Sequence, residues 1–489
     1  MAKITTIIDI GSNSMRMVVF QKSSRFAFHL LNETKSRVKI SEGCYENGGN
    51  LQEIPLNRAY NSLKSFLKIS QALKSRKIIC VATSALRDAP NAKEFLTRVK
   101  NDLNLNIKVI DGTKEAFYGG VAAVNLLHQN EFVTIDIGGG STEFCFIKEG
   151  KIVHSISLNI GTVRIKELYF SKHNMQGANA YIEKQLQELK ALNIEIPCVA
   201  VGIGGTVRAL GKAIMQKEAY PLDVIHGFTY KYENQKSLFD QIIQAKHTDE
   251  LKELGIKKDR FDTICEGTFI FDTILKNLGI QKVITSGVGV REGVYLTDIL
   301  RTSNYRFPAN FNPSVKSLLD RFELDSKQTA YFGNNAGKIF DALAPLHQLS
   351  PKNRIFLIIA SKLHSIGSTL NFYKSNDNTF DFILNGLNYE FLHTSRVTVA
   401  HIIKFSKKTL PKQKDIAEYE SLLPPLEELQ WLSFMISLNL CLNQDYSRLK
   451  YEYILKNNTL IIKADEISYL VQSSLDKLEL PSHLELQLF

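Results

Sequence analysis

The chain has only six cysteines among 489 residues, and no long apolar run. No C-x-x-C pair occurs, so the sequence predicts neither a disulfide framework nor a zinc site, which suits a reducing compartment. No stretch reaches the ~18 uninterrupted apolar residues of a membrane span. The apolar run near the N-terminus ends at Asp9, too early for a signal peptide. We therefore expect a cytoplasmic protein with no membrane partner.

Net charge is the one unusual feature of the composition. Hydrophobic residues make up 44% and charged residues 22% of the chain, as in ordinary globular proteins. The formal charge of +10 favours an anionic partner, but nucleic acid, phospholipid and phosphorylated metabolites all remain open on charge alone. The length exceeds what one core supports and predicts three or four domains.

A repeat dominates the first 150 residues. Residues 7–20 read IIDIGSNSMRMVVF and residues 134–147 read TIDIGGGSTEFCFI, and the two align without gaps. Each copy has an apolar strand, then Asp-Ile-Gly, a turn of small residues and a second strand. Each therefore predicts a β-hairpin with an Asp-Gly tip. Two copies predict two related domains that face one another.

The rest of the chain divides at residues 301–314, a polar segment with two prolines that we interpret as a linker. Before it, strands alternate with helices, as in CVAVGIGGTVRALGKAIM and KVITSGVGVREGVYLTDIL. Beyond it, helical periodicity dominates until YEYILKNNTLIIKAD, which predicts a hairpin turning at Asn457 and Asn458. The C-terminal third should thus be mainly helical with a small β appendage.

The two hairpin tips are candidate phosphate-binding loops. Glycines let the main chain approach a ligand, and successive N–H groups with serine hydroxyls form anion-binding concavities. There is no G-x-x-x-x-G-K-[ST], which excludes a P-loop, and both loops open a strand, unlike a dinucleotide fold. A single Asp-Ile-Gly could simply form the turn of a hairpin, but two matched copies favour a phosphate-binding site. The predicted phosphate ligands here are Ser12, Asn13, Ser14, Gly138, Gly139, Gly140, Ser141 and Thr142.

Five motifs in order carry a family resemblance: DIGSNS-x-R, ATSALRDAPN, DIGGGSTE, GGTVRAL and SGVGVREG. They resemble the exopolyphosphatase/guanosine pentaphosphate phosphohydrolase (Ppx/GppA) family of the actin/hexokinase/Hsp70 superfold. The resemblance implies an α/β fold of two duplicated actin-like (ribonuclease H-like) domains with an interdomain cleft, plus a mainly helical, HD-like C-terminal domain with a small β appendage. We expect boundaries at 1–123, 124–303, 304–440 and 441–489.

The resemblance also suggests roles for single residues. Glu115, in the first turn of a predicted helix, corresponds to the family's catalytic glutamate, although on sequence alone it would more often simply cap its helix. Arg87 follows a strand at its carboxyl end and is a candidate phosphate ligand. The predicted metal ligands are Asp9, Asp136 and Glu143, and the predicted nucleotide-side residues are Gly204, Gly205 and Thr206. The remaining arginines of these motifs are interpreted as helix-stabilising or undetermined, and we do not include them among the predicted site residues: Arg16, Arg208 and Arg291.

Two departures from the family pattern bear on function. In KLHSIG the residue after His364 is Ser365 rather than an acid, so we expect the HD-like domain to lack a metal. The turn Ser286-Gly-Val-Gly289 replaces the family's Ser-Gly-Gly, which weakens any inference about base specificity.

These observations predict a Mg²⁺-dependent hydrolase, or one using another divalent cation, that releases terminal phosphate with a glutamate base. The expected partners are inorganic polyphosphate, pppGpp (giving ppGpp) or both, with no nucleic acid, and we expect a homodimer. Two alternatives stay open: a non-enzymatic polyphosphate or (p)ppGpp sensor, and a small-molecule kinase of the same superfold.

Overall fold

The computed structural model describes residues 4–489, which form two compact units. The first extends to Phe311 and the second spans Asn312–Phe489. The predicted fold class is confirmed: duplicated α/β sheets occupy the first unit, and the second is helical with a small sheet. The likeness of the helical part to HD-type folds and the four domain boundaries stay predictions.

The first sheet has the strand order β3-β2-β1-β4-β5. Its central strand β1 pairs with β2 and β4 and is buried along almost its whole length. Strands β1, β2 and β3 are antiparallel, whereas β4 and β5 run parallel to β1. The strands are β1 (Ile4–Ile10), β2 (Met15–Lys22), β3 (Phe28–Ser36), β4 (Lys77–Ala82) and β5 (Ile107–Val109).

The second sheet repeats this plan with one more strand at its edge. Its order is β10-β11-β9-β6-β7-β8, in which β6, β7 and β8 are antiparallel and β9 and β11 run parallel to β6. The strands are β6 (Phe132–Ile137), β7 (Thr142–Lys148), β8 (Lys151–Leu158), β9 (Val199–Ile203), β10 (Thr229–Lys231) and β11 (Lys282–Thr285).

Eleven α-helices surround the two sheets in the described part of the first unit. Helix α1 illustrates how they pack: Ala59, Leu63 and Phe66 recur at helical spacing and are buried against the first sheet's core. The helices are α1 (Glu53–Ala72), α2 (Ser84–Asp88), α3 (Ala92–Leu103), α4 (Gly112–Leu126), α5 (Thr162–Leu168), α6 (Met175–Ala191), α7 (Gly204–Lys217), α8 (Lys236–Gln244), α9 (Thr248–Glu253), α10 (Ile264–Leu278) and α11 (Val290–Ile299).

Helices α4 and α11 join the two sheets into one unit. Helix α4 follows the first sheet in sequence but packs on β7 and β8 of the second, while α11 packs beside β1 of the first. The two helices also pack on each other, so closely at Gly293 that a Cβ there would overlap the carbonyl of Tyr118. Tyr295 of α11 stacks on Phe20 of β2, with ring centroids 4.5 Å apart. The two sheets, each of which carries one hairpin tip, are therefore held together by α4 and α11.

The second unit is built from helices α12 to α19 and a three-stranded sheet of order β12-β13-β14. The hairpin predicted at Asn457 and Asn458 is present, with Lys456 paired to Thr459. The elements are α12 (Pro313–Arg321), α13 (Ser326–His347), α14 (Pro351–Leu363), α15 (Ser375–Gly386), α16 (His393–Lys404), α17 (Gln413–Ile416), α18 (Leu426–Cys441), β12 (Glu452–Lys456), β13 (Thr459–Lys463), α19 (Tyr469–Leu475) and β14 (Glu485–Leu488).

Short 3₁₀ turns complete the secondary structure of both units. They are Tyr45–Asn47, Phe170–Lys172, Glu233–Gln235, Lys258–Arg260, Arg301–Ser303, Ile366–Thr369, Phe372–Lys374 and Ala417–Leu422. Across residues 4–489, none of the helices combines the length and the apolar character that crossing a bilayer would require.

Candidate active site

The two Asp-Ile-Gly hairpins have the same local geometry. In the first, Asp9 pairs with Arg16 across the ladder, and the Gly11 N–H donates to the Ser14 carbonyl at 3.3 Å. In the second, Asp136 pairs with Glu143 and the Gly138 N–H donates to the Ser141 carbonyl at 2.9 Å. The sequence repeat is thus a structural repeat down to the hydrogen bond that closes each tip.

The tips meet across a cavity of about 160 Å³. A Cβ added at Gly139 would lie 2.7 Å from the Cβ of Ser12, so the two loops touch where Gly139 has no side chain. Twelve of the sixteen predicted site residues line this cavity: Asp9, Ser12, Asn13, Ser14, Glu115, Asp136, Gly138, Gly139, Ser141, Gly204, Gly205 and Thr206. Residues far apart in sequence therefore share one crevice.

The other four predicted residues lie behind the cavity wall rather than on it. Arg87 donates to Glu115, with 3.3 Å between Nη1 and Oε2. The Thr142 hydroxyl is buried and donates to the Ile160 carbonyl at 2.5 Å. Glu143 is buried and accepts from the Ser157 hydroxyl at 2.7 Å. The fourth is Gly140, whose carbonyl accepts from Arg164.

Four carboxyl groups gather beneath the tips: Asp9, Glu115, Asp136 and Glu143. Burial, followed by the charges of its three neighbours, raises the pKa of Glu115 well above its ordinary value. Burial raises the pKa of Asp136 to about 6 and that of Glu143 to about 7, and it also raises the pKa of Asp9. Helix α4 places Glu115 in its first turn, where the helix dipole favours the ionised carboxylate. Burial outweighs this effect, so a cation nearby is needed to keep Glu115 ionised.

The donor set fits a hard divalent cation. Within residues 4–489, no three His, Cys, Asp or Glu side chains converge closely enough to coordinate one metal ion by themselves. Mg²⁺ commonly keeps several waters and binds one or two carboxylates together with substrate phosphate oxygens. Carboxyl groups whose pKa values are raised by shared burial are suited to such an ion, because its charge favours their ionised forms.

Four arginines line the cavity that were not among the predicted site residues: Arg16, Arg208, Arg260 and Arg291. Arg16 and Arg291 share Glu33, at 3.0 and 2.7 Å. Arg208 donates to the Gly204 carbonyl, and the Arg260 guanidinium lies so close over Gly205 that a Cβ there would overlap it. In the sequence, Arg16, Arg208 and Arg291 lie within three of the five motifs but are interpreted there as helix-stabilising or undetermined, whereas Arg260 lies in none of the motifs.

The arginine cluster is electrostatically strained. Burial, and then the charges of Arg16 and Arg291, lower the pKa of Arg208 to about 10. Burial is also the largest cause that lowers the pKa of Arg260. Helix α7 begins at Gly204, whose φ of +93° favours glycine, and its first three residues line the same cavity. Cations and helix N–H groups together make this wall a strong anion site.

A second, basic cavity of about 190 Å³ adjoins the first and shares Arg16, Gly205, Arg208 and Arg260 with it. It adds Lys212 and Lys257. Among the described residues that line it, Asp259 is the one acid and none is aromatic. The two cavities together offer room for a terminal phosphoryl group and for further anionic groups attached to it.

Comparison with known proteins agrees with this geometry. The Ppx/GppA phosphatase family matches residues 18–302, more than half of the chain. A guanosine-5′-triphosphate,3′-diphosphate pyrophosphatase of Aeromonas hydrophila is 28% identical over 384 residues, covering 75% of this chain and 73% of that protein. A bifunctional 3-dehydroquinate synthase/phosphatase of Fusobacterium nucleatum is 32% identical over 303 residues, covering 57% of this chain and 44% of that protein.

Solved structures show the same relationship. A Ppx/GppA family member from Aquifex aeolicus superposes with a TM-score of 0.53 at 30% identity, covering 62% of this chain and 99% of that structure. An exopolyphosphatase from Cytophaga hutchinsonii has the same fold, with a TM-score of 0.55 at 24% identity over 61% of this chain and 98% of that structure. The chain belongs to the Ppx/GppA phosphatase family.

Proposed function

We propose that this chain is a phosphoanhydride hydrolase that removes the terminal phosphate of inorganic polyphosphate, the 5′-phosphate of pppGpp to give ppGpp, or both. The observation that carries the proposal is the contact of two duplicated tips across a cavity with carboxyl groups below and arginines beside it. The relatives named as pyrophosphatases of guanosine pentaphosphate and as an exopolyphosphatase support the same chemistry.

The phosphoryl group is bound by main-chain and hydroxyl donors of both tips, including Ser12, Asn13 and Ser141. Arg208 and Arg260 neutralise oxygens on the side of the second cavity, where the remaining linked phosphates lie. Because that cavity offers cations but no ring to stack on, it suits a phosphate chain better than a nucleobase.

Glu115 is the general base. An attacking water forms the new P–O bond to the terminal phosphorus and gives its proton to the Glu115 carboxylate, while the bridging P–O bond breaks and its electron pair leaves with the shortened phosphate. Arg87, 3.3 Å away, favours the ionised carboxylate and fixes its direction. A divalent cation, held by Asp9, Asp136 and Glu143 directly or through water, would supply the charge neutralisation that phosphoryl transfer needs.

The experiment measures phosphate release from polyphosphate and from pppGpp side by side, for the wild type and Glu115→Gln. We expect the variant to lose about 10²–10⁴ in kcat while retaining substrate affinity. Asp111→Asn is the matched control, because Asp111 caps α4 by accepting from the Lys114 N–H at 2.7 Å, a role that asparagine fills about equally well. This variant should change neither stability nor kcat appreciably.

Two outcomes would replace the proposal. Phosphate that passes to an added acceptor instead of water would indicate the kinase. Binding of both compounds without release, unchanged by Glu115→Gln, would indicate the sensor. Chelation of divalent cations should abolish release, and re-addition of Mg²⁺ should restore it. Formation of a homodimer remains a separate prediction, which sedimentation of the full chain would test.

A further inference from the structure

Strand β8 carries a serine that binds one of the four carboxyl groups of the candidate active site. Ser157 is the ladder partner of Glu143 on β7, and its hydroxyl donates to Oε1 of Glu143 at 2.7 Å. Glu143 is buried, so protein donors rather than bulk water bind its carboxyl group. The direction of this predicted metal ligand therefore depends on the groups that donate to it.

The same serine fills a space that a glycine leaves at the start of α4. A Cβ added at Gly112, the first residue of the helix, would lie 2.2 Å from Cβ and 2.5 Å from Oγ of Ser157. It would also lie 3.7 Å from Nη1 of Arg87. A larger residue at this position would displace either Ser157 or the helix, so the close approach requires glycine. Ser157 thus contacts both Glu143 and the first turn of α4, the turn that carries Glu115.

A second serine also binds Glu143, but its surroundings differ. The Ser141 side chain hydrogen bonds to Glu143 and lines the cavity, where it is a predicted phosphate ligand. A bound phosphate therefore competes for the Ser141 hydroxyl. Ser157 is not among the residues that line the cavity, so no substrate group competes for its hydroxyl. Of the two serines, Ser157 is the one that can bind Glu143 throughout a reaction cycle.

We propose that Ser157 is a positioning residue that orients the Glu143 carboxylate toward a divalent cation. The inference rests on the proposed function, in which Glu143 holds the cation directly or through water. Carboxylates that bind metals are usually oriented by hydrogen bonds from neighbouring groups, and loss of such a partner weakens metal affinity about 10–100-fold. Because Ser157 also packs on α4, it keeps this ligand at a fixed place relative to the helix that carries Glu115.

The test measures binding of Mn²⁺ alone to the full chain by electron paramagnetic resonance, which detects the free ion and needs no turnover. We expect Ser157→Ala to raise the Kd for Mn²⁺ about 10–100-fold. Alanine keeps the Cβ that packs at Gly112 and loses only the donor. Ser155→Ala is the matched control, because Ser155 lies two residues earlier on the same face of β8 and donates to Sγ of Cys145 at 3.3 Å. It should leave the Kd unchanged.

The rate of phosphate release provides a second readout. Ser157→Ala should need about 10–100-fold more Mg²⁺ for its half-maximal rate, while kcat at saturating Mg²⁺ and KM for polyphosphate are retained. A lower melting temperature with an unchanged Mn²⁺ Kd would assign Ser157 a structural role alone and overturn the proposal. An equal rise of the Kd in Ser155→Ala would also overturn it, and in both cases the proposed function stands. If the wild type binds no Mn²⁺, the proposal fails together with the metal site of the proposed function.

Discussion

The contact between the two hairpin tips can be tested by adding one methyl group, in Gly139→Ala. The new Cβ would lie 2.7 Å from Cβ of Ser12 and 3.3 Å from Cγ2 of Val163. Carbon atoms prefer separations of about 3.5–4.0 Å, so the tips must separate by roughly 0.8 Å. The nearer of these atoms, Cβ of Ser12, is bonded to the main chain and cannot rotate away. The strain should cost about 1–3 kcal/mol of stability.

The larger effect of Gly139→Ala should be on catalysis. A misplacement of about 1 Å between groups that hold one phosphoryl group can cost about 10²-fold in rate, and we expect kcat/KM for phosphate release to fall by that order. The control is Gly279→Ala at the end of α10, where φ is +66° and nothing lies within 4 Å. It should lose about 1–2 kcal/mol of stability through backbone strain alone, with kcat/KM unchanged.

Thermal melts and initial rates on both glycine variants separate stability from geometry. If Gly139→Ala has the kcat/KM of the wild type, the view that both tips bind the same phosphoryl group is refuted. A parallel loss of activity in Gly279→Ala would show that the assay follows stability rather than the distance between the tips.

Three other perturbations address the charges around the cavity. Arg208→Gln should lower kcat/KM by at least about tenfold, mainly through KM, because a charged phosphate contact is lost; an unchanged KM would place Arg208 outside the substrate site. Asp262→Asn removes an acid that pairs with Arg37 at 2.7 Å and with Lys39 at 3.4 Å. Because these ion pairs are partly exposed, kcat/KM should fall by no more than about fivefold, and the exposed control Asp249→Asn should leave kcat/KM unchanged. Because the folded-state pKa values of Asp136 (about 6) and Glu143 (about 7) are raised, these groups stabilise the metal-free protein below their ordinary pKa values and lose that contribution as pH rises through 6 to 7. In chelator the melting temperature should therefore fall over this window, and Mg²⁺ should raise it more at pH 8 than at pH 6; equal Mg²⁺ effects at both would contradict the site.

The hairpins could be predicted from sequence because their information is local. Asp-Ile-Gly and the small turn residues set the tip, and period-two apolar patterns set the strands. The β-ladder then places Asp9 opposite Arg16 and Asp136 opposite Glu143 without any long-range contact. Comparing two local patterns was enough to predict one shared crevice.

The arginine wall could not be predicted, because its members come together only through the fold. Arg291 lies in the first turn of α11 and Arg208 at the start of the second turn of α7, where a cation near a helix N-terminus would ordinarily be unfavourable. Arg260 lies in a 3₁₀ turn that carries no motif. The burial of Glu115 could not be predicted from the sequence either, because α4 follows the first sheet in sequence yet packs on the second.

Buried carboxyl groups and buried arginines both line the cavity of the candidate site, and the burial of each is unfavourable. Burial raises the pKa of Asp136 to about 6, and Arg208 is buried beside Arg16 and Arg291. Each arrangement costs stability in the empty protein, because the opposite charges of Arg208 and Asp136 offset their burial only in part. A cation relieves the first cost and a phosphate chain relieves the second. Since a phosphate-bound cation brings both charges together, we expect the complex of the two to fit the cavity better than either alone, so that the empty site would select a metal-bound polyphosphate.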